Sequence, residues 1–362
     1  LKADVQRYTW DEELDKPVIG FTFPDKVAYT YAPGTSKIAD LHKQLAGAFS
    51  GQQVVITSQS EGLALVHVSS DVNPGEYYLF DTVTTNADFL WANRSWLDPA
   101  EMVNTQPLKF TTEDGLVVNG YITLPTNLAA NKKAPMVVMI HGGPHYVRDY
   151  WSFDSEVQLF ANRGYAVLQI NYRGSGGYGE KFEKSGYLQW GGKMIQDIID
   201  GTQYAVKHYA VDKNKMCLYG ASYGGYAALM AAVRAPDTYK CTIGYVGIYD
   251  LNYAYAYSDT MKAMGGEAYL NKVIGTNKQQ LNEYSPVNHV DKIKANVMLI
   301  HGERDSRVPV INAETMLQRF KTIGKKVPYL NFSKSGHGVY DEEGRDTLYK
   351  GVLEFLDNNI GE

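Results

Sequence analysis

Residues 220–225 read Gly-Ala-Ser-Tyr-Gly-Gly, which places a serine at the centre of a G-x-S-x-G pattern. A strand-like segment, residues 216–219, precedes the pattern, and a helix-like apolar run, residues 226–233, follows it. This context is typical of a nucleophile elbow, a tight turn that projects a serine hydroxyl above a β-sheet. The following helix also presents free N–H groups at its N-terminus. The pattern therefore predicts that Ser222 is a nucleophile.

A serine nucleophile needs a base, and the base needs a carboxylate that orients it. In hydrolases with such an elbow the chain order is serine, acid, histidine. Three histidines follow the serine, namely His289, His301 and His337. His337 lies between glycines in a loop after the last predicted strand, whereas His301 ends a strand and His289 has no strand end to place it. We therefore expect His337 to be the general base.

The orienting acid is expected in the loop after the strand that precedes the histidine. That loop contains two carboxylates, Glu303 and Asp305. Asp341 and Glu342 lie too close to His337 on its own loop to orient its ring. The residues alone therefore leave Glu303 and Asp305 as the two candidates.

Acyl transfer also needs N–H donors directed at the oxyanion of the tetrahedral intermediate. The first expected donor is the backbone N–H of Tyr223, which follows the nucleophile. The second is expected in the segment His-Gly-Gly-Pro at residues 141–144, after an early apolar strand. Glycine lets the backbone approach a substrate closely, so we assign this donor to Gly143. The alternative for the segment is an ordinary Gly-Pro turn.

The elements that must position these residues form a repeating pattern from about residue 111 onward. Apolar strands alternate with helical patterns over about 250 residues, which predicts a parallel, doubly wound α/β sheet with both faces covered. Asp197 and Asp200, on one predicted helix, are interpreted as caps or surface ion pairs. The predicted strands are residues 135–141, 165–171, 216–220, 241–247, 297–301 and 327–332, and the predicted helices include residues 195–209 and 348–356.

Residues 1 to about 105 have a different pattern, with short β-branched or aromatic segments between turn residues. Strands are predicted at residues 27–31, 53–57, 63–68 and 76–81, and a short helix at residues 39–49. The turn residues Asn73, Pro74 and Gly75 predict a hairpin between the last two of these strands.

The composition excludes several classes of protein. With 35 Lys and Arg against 40 Asp and Glu, the net charge is −5, which argues against broad binding to nucleic acid or anionic membranes. The longest apolar run, residues 226–233, is too short to span a membrane. Two cysteines cannot form a disulfide-dense module or a four-thiolate zinc site. Cys217 and Cys241, in or at the start of neighbouring strands, are by default expected to be buried free thiols. A disulfide between them is the alternative if their Cα atoms come within about 7 Å.

Five motifs together resemble the prolyl oligopeptidase family of serine peptidases, most of all its acylaminoacyl-peptidase and dipeptidyl-peptidase-like branch. The resemblance covers roughly residues 105–360. The motifs occur in order at residues 141–144, 171–179, 220–226, 301–309 and 336–338.

The resemblance implies a Ser-His-Asp triad and selects Asp305 over Glu303 as the orienting acid. It also implies an oxyanion hole from the backbone of Gly143 and Tyr223, because His141 stands where some relatives place a tyrosine hydroxyl. No metal or organic cofactor is implied. The resemblance also implies residues that contact substrate. Arg307 aligns with an arginine that, in some relatives, binds a substrate carbonyl. The S1 pocket is implied to contain Tyr223, Ile248, Leu251 and Val308.

Family members carry an N-terminal β-propeller, which needs four or more blades of about 40 residues each. Only about 100 residues precede the hydrolase part here, so no propeller can close. We therefore expect residues 1–104 to be partial blades, residues 105–362 to be an α/β-hydrolase catalytic domain, and the chain, which begins at Leu1 rather than Met, to be a C-terminal fragment. The remaining strands would expose an unpaired edge, which favours self-association.

The predicted function is hydrolysis of short peptides by a serine peptidase through an acyl-enzyme. Two alternatives remain open at this stage. The first is a carboxylesterase on the same scaffold, since the same triad cleaves esters. The second is a non-catalytic binding module that retains the elbow.

Overall fold

The computed structural model describes residues 3–126, 128–129 and 131–361. The described N-terminal part contains two small antiparallel sheets, one of three strands and one of four. A helix, α1 (Lys37–Ala48), connects them in the chain. The first sheet comprises β1 (Val5–Asp11), β2 (Lys16–Thr22) and β3 (Ala28–Tyr31), and the second β4 (Gln53–Ser60), β5 (Leu63–Ser69), β6 (Glu76–Asp81) and β7 (Ala87–Ala92).

An eight-stranded, mostly parallel sheet forms the centre of the rest of the chain. Its strand order is β15-β14-β13-β12-β10-β11-β9-β8, and only the pairs that include β9 are antiparallel. The strands are β8 (Thr105–Thr111), β9 (Val117–Thr123), β10 (Ala134–Ile140), β11 (Ala166–Asn171), β12 (Val211–Ala221), β13 (Cys241–Tyr245), β14 (Asn296–Gly302) and β15 (Tyr329–Phe332). This topology confirms the predicted α/β-hydrolase fold with a β-rich segment before it.

Helices cover both faces of this sheet. The central strand β10 shows why, because its successive side chains enter different cores: Met136 and Val138 pack on one face and Val137 on the other. Helices α4 and α5 cover the first face, and α2 and α11 cover the second. The helices are α2 (Ser155–Ala161), α3 (Glu180–Lys184), α4 (Lys193–His208), α5 (Tyr223–Arg234), α6 (Leu251–Tyr257), α7 (Asp259–Lys262), α8 (Gly266–Val273), α9 (Lys278–Glu283), α10 (Ile311–Thr322) and α11 (Glu342–Ile360).

The predicted N-terminal hairpin is confirmed as β5 and β6, which pair from Leu63 opposite Asp81 to Val68 opposite Glu76. The predictions missed β1, β2 and β7 in the N-terminal part and β8 and β9 at one edge of the central sheet. Strands β1 and β7 bury few of their side chains, so they lack a clear alternation of buried and exposed positions. Among the described residues, no helix is both long and apolar enough to cross a membrane.

Two expectations for buried residues were wrong. Cys217 and Cys241 form a disulfide rather than two free thiols, because parallel pairing sets them opposite each other with 4.6 Å between their Cα atoms. Asp197 is neither a cap nor a surface ion pair. Its side chain is fully buried and holds the guanidinium of Arg173 at 2.7 Å, and the same guanidinium also binds Asp114 at 2.9 Å.

Candidate active site

Ser222 occupies a one-residue turn between β12 and α5. Its backbone has φ +60° and ψ −122°, a conformation that is strained for a residue other than glycine. Its N–H donates to the carbonyl oxygen of Tyr245 at 2.9 Å, and its side chain makes no capping hydrogen bond to α5. A Cβ atom on Gly224 would lie 2.0 Å from the carbonyl oxygen of Ile140, so only glycine lets α5 approach β10 this closely. The sharp turn of an elbow is therefore present around Ser222.

The His-Gly-Gly-Pro segment passes beside this turn. A Cβ atom built on Gly142 would lie 3.3 Å from the Cβ atom of Ser222. Gly143 has φ +111°, and a side chain there would meet Val147 at 2.9 Å, so the position requires glycine. Tyr223 is the first residue of α5, where backbone N–H groups have no partner within the helix. Both predicted donors therefore lie on segments that adjoin the serine.

Asp305 and His337 are in direct contact. The Nδ1 atom of His337 lies 2.6 Å from Oδ2 of Asp305. The other carboxylate oxygen, Oδ1, accepts the backbone N–H groups of Arg307 and Val308, each at 2.9 Å. The Asp305 side chain is fully buried, whereas 22 % of the His337 side chain is exposed. A carboxylate held in this way fixes the imidazole so that Nε2 can accept a proton.

The alternative acid and bases have other hydrogen-bond partners. Glu303 is exposed and accepts a hydrogen bond from the side-chain amide of Asn331, so it does not orient His337. His301 is buried and donates from Nε2 to the carbonyl oxygen of Val308, which stabilises the loop of the acid. Burial lowers the pKa of His301 and favours its neutral form. His289 contacts the carbonyl oxygen of Glu283.

The strand order explains how distant residues come to one edge. Ser222 follows β12, Asp305 follows β14, His337 follows β15 and Gly143 follows β10. These strands run parallel to one another through the sheet, so their carboxyl ends share one edge. The topology therefore collects loops that are up to about 200 residues apart in the sequence.

His141 packs against the loop at residues 171–179. Its ring stacks on Tyr172 with 4.3 Å between the ring centroids, and its Nε2 atom lies 2.9 Å from the hydroxyl of Ser175. Burial lowers the pKa of His141 to about 4, so the ring is neutral near pH 7. The glycine-rich motif of this loop thus supports the segment that carries Gly143.

The residues predicted to contact substrate occupy several environments. The Tyr223 ring is buried, and its hydroxyl donates to the carbonyl oxygen of Trp190 at 2.9 Å. Leu251 and Val308 are also buried, and Ile248 is half-buried. Arg307 is largely exposed, with its Nε atom 3.4 Å from a carboxylate oxygen of Asp259. Their role in substrate binding stays a prediction.

Two residues near the site were not predicted. Trp190 packs edge-on against the ring of Tyr223, with 4.9 Å between the centroids. Tyr245 ends β13 and contacts the serine turn. Neither residue belongs to a motif, so no local signal in the sequence identifies it. In the part of the chain that the structure describes, no group of three or more His, Cys, Asp or Glu side chains is arranged to hold a metal ion.

The fold and the loops at this edge place the chain among the α/β-hydrolases. Residues 151–362 match the family model described as "Prolyl oligopeptidase family". The chain belongs to the prolyl oligopeptidase family, which confirms the resemblance found in the motifs.

Curated relatives extend this result. The chain is 31 % identical over 338 residues to "Dipeptidyl aminopeptidase BIII" of Pseudoxanthomonas mexicana. This match covers 89 % of this chain and 48 % of the relative. It is 30 % identical over 298 residues to "Dipeptidyl-peptidase 5" of Schizosaccharomyces pombe, which covers 80 % of this chain and 42 % of the relative. The chain thus spans about half the length of the curated relatives it matches.

Solved structures show the same architecture. An acylaminoacyl peptidase in complex with Z-Gly-Gly-Phe-chloromethyl ketone superposes with a TM-score of 0.76 at 25 % identity, over 95 % of this chain and 54 % of that protein. The Pyrococcus horikoshii acylaminoacyl peptidase has a TM-score of 0.79 at 24 % identity, over all of this chain and 57 % of that protein, and supports the fold.

Proposed function

We propose that this chain is the catalytic part of a dipeptidyl- or acylaminoacyl-type peptidase that hydrolyses short peptides through an acyl-enzyme on Ser222. The observation that carries the proposal is the 2.6 Å contact between His337 and Asp305, at the same edge of the sheet as the strained turn of Ser222. Membership of the prolyl oligopeptidase family and the names of the curated relatives support peptide substrates.

In the proposed reaction the Ser222 hydroxyl attacks the scissile carbonyl carbon while its proton passes to Nε2 of His337. Asp305 keeps the Nδ1–H bond of the ring directed at its carboxylate, so that Nε2 is free to accept. The backbone N–H groups of Gly143 and Tyr223 stabilise the oxyanion. The tetrahedral intermediate collapses, the amine leaves with the proton from His337, and the acyl group stays on Ser222.

Deacylation uses the same groups in the opposite order. A water molecule gives a proton to His337 and attacks the acyl carbon, and the second intermediate then releases the carboxylic acid and restores the serine hydroxyl. Arg307 is proposed to bind a carbonyl of the substrate. Tyr223, Ile248, Leu251 and Val308 are proposed to contribute to the S1 pocket, which holds the residue on the N-terminal side of the scissile bond. No step of this scheme uses a metal ion or an organic cofactor.

The domain organisation is part of the proposal. The two small antiparallel sheets before residue 105 support partial propeller blades at residues 1–104. The eight-stranded sheet begins with β8 at Thr105, which supports a catalytic domain at residues 105–362.

The test is labelling with a fluorophosphonate probe, followed by turnover of a peptidyl p-nitroanilide and a p-nitrophenyl ester. We expect labelling at Ser222, none in Ser222→Ala, and loss of turnover in that variant by about 10⁴-fold or more. Absence of labelling in the folded wild-type chain would favour the binding module. Ester turnover without anilide turnover would favour the carboxylesterase.

A further inference from the structure

We infer that Tyr245 is a positioning residue that fixes the distance between two segments of the site. One is the turn at Ser222, here called the serine turn, and the other is the loop that carries His337, residues 335–339, here called the histidine loop. The inference rests on the proposed function, because it assigns a role relative to Ser222 and His337. Tyr245 is the last residue of β13 and pairs with Ala221, the residue before the nucleophile. It is buried, with 7 % of its surface exposed, and it belongs to neither loop of the proposed triad.

Tyr245 contacts the two loops through different atoms. Its main-chain carbonyl oxygen accepts the N–H of Ser222 at 2.9 Å. Its side-chain hydroxyl accepts the N–H of Val339, two residues after His337, at 2.7 Å. Because one residue makes both hydrogen bonds, the separation of the serine turn and the histidine loop depends on the length of a single rigid side chain.

The histidine loop has a second anchor on its other side. The carbonyl oxygen of Ser335 accepts the N–H of Arg304 at 3.0 Å, which attaches the loop to the segment that carries Asp305. Between these anchors His337 is flanked by Gly336 and Gly338, whose backbones are the least restricted of any residue type. The hydrogen bond to Tyr245 is therefore what ties this flexible loop to the serine side of the site.

The bond to Tyr245 lies in the apolar core, where water does not replace it. Tyr245 and Val339 are both buried in the cluster that includes Ile300 and Leu348 on the second face of the sheet. Burial raises the pKa of Tyr245, so the hydroxyl stays protonated and neutral. Removing this hydroxyl leaves the Val339 N–H buried without its partner, which favours a shift of the loop.

Tyr219 provides a matched control for this hydroxyl. It lies on the neighbouring strand β12, its surface is 1 % exposed, and its hydroxyl donates to Glu156 at 2.7 Å. It shares the same core cluster as Tyr245, but its hydrogen bond goes to α2 and not to the histidine loop. Tyr219→Phe therefore removes a buried hydroxyl of the same kind from the same core without releasing His337.

The experiment compares Tyr245→Phe with Tyr219→Phe in the full chain. We expect the second-order rate of fluorophosphonate labelling at Ser222, and kcat for a peptidyl p-nitroanilide, to fall about tenfold or more in Tyr245→Phe. KM should stay within about twofold, because the substituted ring is buried and is not among the residues proposed to bind substrate. Tyr219→Phe should keep the labelling rate and kcat within about twofold of wild type. Its melting temperature should fall by about as much as that of Tyr245→Phe.

A spectroscopic readout separates this inference from the proposed function. We expect the Nδ1–H proton of His337, directed at Asp305, to give a downfield NMR resonance that shifts or broadens in Tyr245→Phe but not in Tyr219→Phe. Unchanged labelling with an unchanged resonance in Tyr245→Phe would overturn the inference. An inert wild-type chain would overturn the proposed function, and the resonance would still decide the role of Tyr245.

Hydrogen exchange provides a measurement that needs no variant. The N–H of Val339 should exchange slowly in the wild-type chain, since it is bonded to a buried hydroxyl. Exchange of this amide as fast as that of an exposed loop would contradict the inference even if Tyr245→Phe failed to fold.

Discussion

The central sheet and the two N-terminal sheets of this chain differ in how completely their strands bury their side chains. Strand β10 of the central sheet buries nearly all of its residues, because helices cover both of its faces. Strand β7, at the edge of the four-stranded sheet, leaves Phe89, Leu90 and Trp91 exposed. Strand β1, at the edge of the three-stranded sheet, likewise exposes Tyr8 and Trp10.

The contrast locates the dense packing and the hydrogen bonds at the carboxyl edge of the central sheet, where the residues of the proposed triad lie. At this edge, both carboxylate oxygens of Asp305 have hydrogen-bond partners. The serine turn and the histidine loop are each hydrogen-bonded to Tyr245 of the core strand β13. The edge strands β1 and β7 of the N-terminal sheets pair with one neighbouring strand each and expose large apolar side chains. Dense packing around the site limits small displacements of reacting groups, and such displacements lower turnover strongly.

The largest expected effect tests the contact between Asp305 and His337 in the proposed triad. Asp305→Asn should lower kcat by about 10⁴-fold, because an amide cannot hold the same tautomer of His337. The loop should still fold, since the amide oxygen can accept the N–H groups of Arg307 and Val308. The measurement is steady-state turnover of a peptidyl p-nitroanilide.

The matched control is Glu303→Gln, which changes a carboxylate on the same loop. It should leave kcat within about twofold of wild type, because Glu303 contacts Asn331 and not His337. Equal losses in the two variants would contradict the assignment of Asp305.

The next effect concerns the stability of the central sheet. The disulfide between Cys217 and Cys241 joins the two strands that lead to Ser222 and Tyr245. Replacing both cysteines with alanine should lower the free energy of unfolding by about 2–4 kcal/mol. Urea denaturation measures the loss, and thiol titration of the unfolded wild-type chain without reductant should find no free thiol. Two free thiols per chain would instead support the expectation from the sequence.

A third prediction concerns pH. Burial raises the pKa of Glu156 to about 7, while its unfolded value stays near 4.5. The folded state therefore binds this proton more tightly, and the stabilisation is complete below pH 4.5 and lost as the pH rises through about 7. Asp149, whose pKa burial raises to about 8, acts in the same direction.

The comparison of wild type with Glu156→Gln isolates the contribution of Glu156. The free energy of unfolding of the wild type should fall between pH 4.5 and 8, and the fall should be smaller in the variant by on the order of 1–3 kcal/mol. Urea denaturation at several pH values gives both curves. Parallel curves would show that Glu156 has an ordinary pKa.

The smallest effect tests the N-terminal edge. Phe89→Lys, on the exposed strand β7, should change the free energy of unfolding by no more than about 0.5 kcal/mol, and it should weaken any self-association through that edge. Sedimentation velocity measures the association. Val138→Ala, in the core of β10, should cost about 1–3 kcal/mol, and a similar cost at both positions would remove the contrast between the two regions.

Much of this architecture could be predicted because its signals are local. The strand–turn–helix pattern around Ser222 and the continuous apolar strands are properties of short segments, and the structure confirms the sheet that they predict, with β8 and β9 as added strands at one edge. The N-terminal hairpin followed from its turn residues in the same way. Strands β1 and β7 were missed because exposed strands carry no periodic burial signal.

Other features depend on which segments become neighbours. The pairing of Cys217 with Cys241 follows from the register of β12 and β13, which no spacing in the sequence reveals. The burial of Asp197 follows from the packing of α4 against the loop of Arg173. The residues alone left Glu303 and Asp305 as candidates, the family resemblance favoured Asp305, and the structure places Asp305 in contact with His337.

The amino-acid sequence by itself determined the class of fold, the elbow around Ser222 and the short set of residues able to act with it, because these depend on local pattern and residue chemistry. The tertiary structure alone decided that the two cysteines bond, that Asp197 is buried against Arg173, and that Tyr245 touches both loops of the site. Those features are distances between segments far apart in the chain, and such distances exist only once the sheet has set the order and register of its strands.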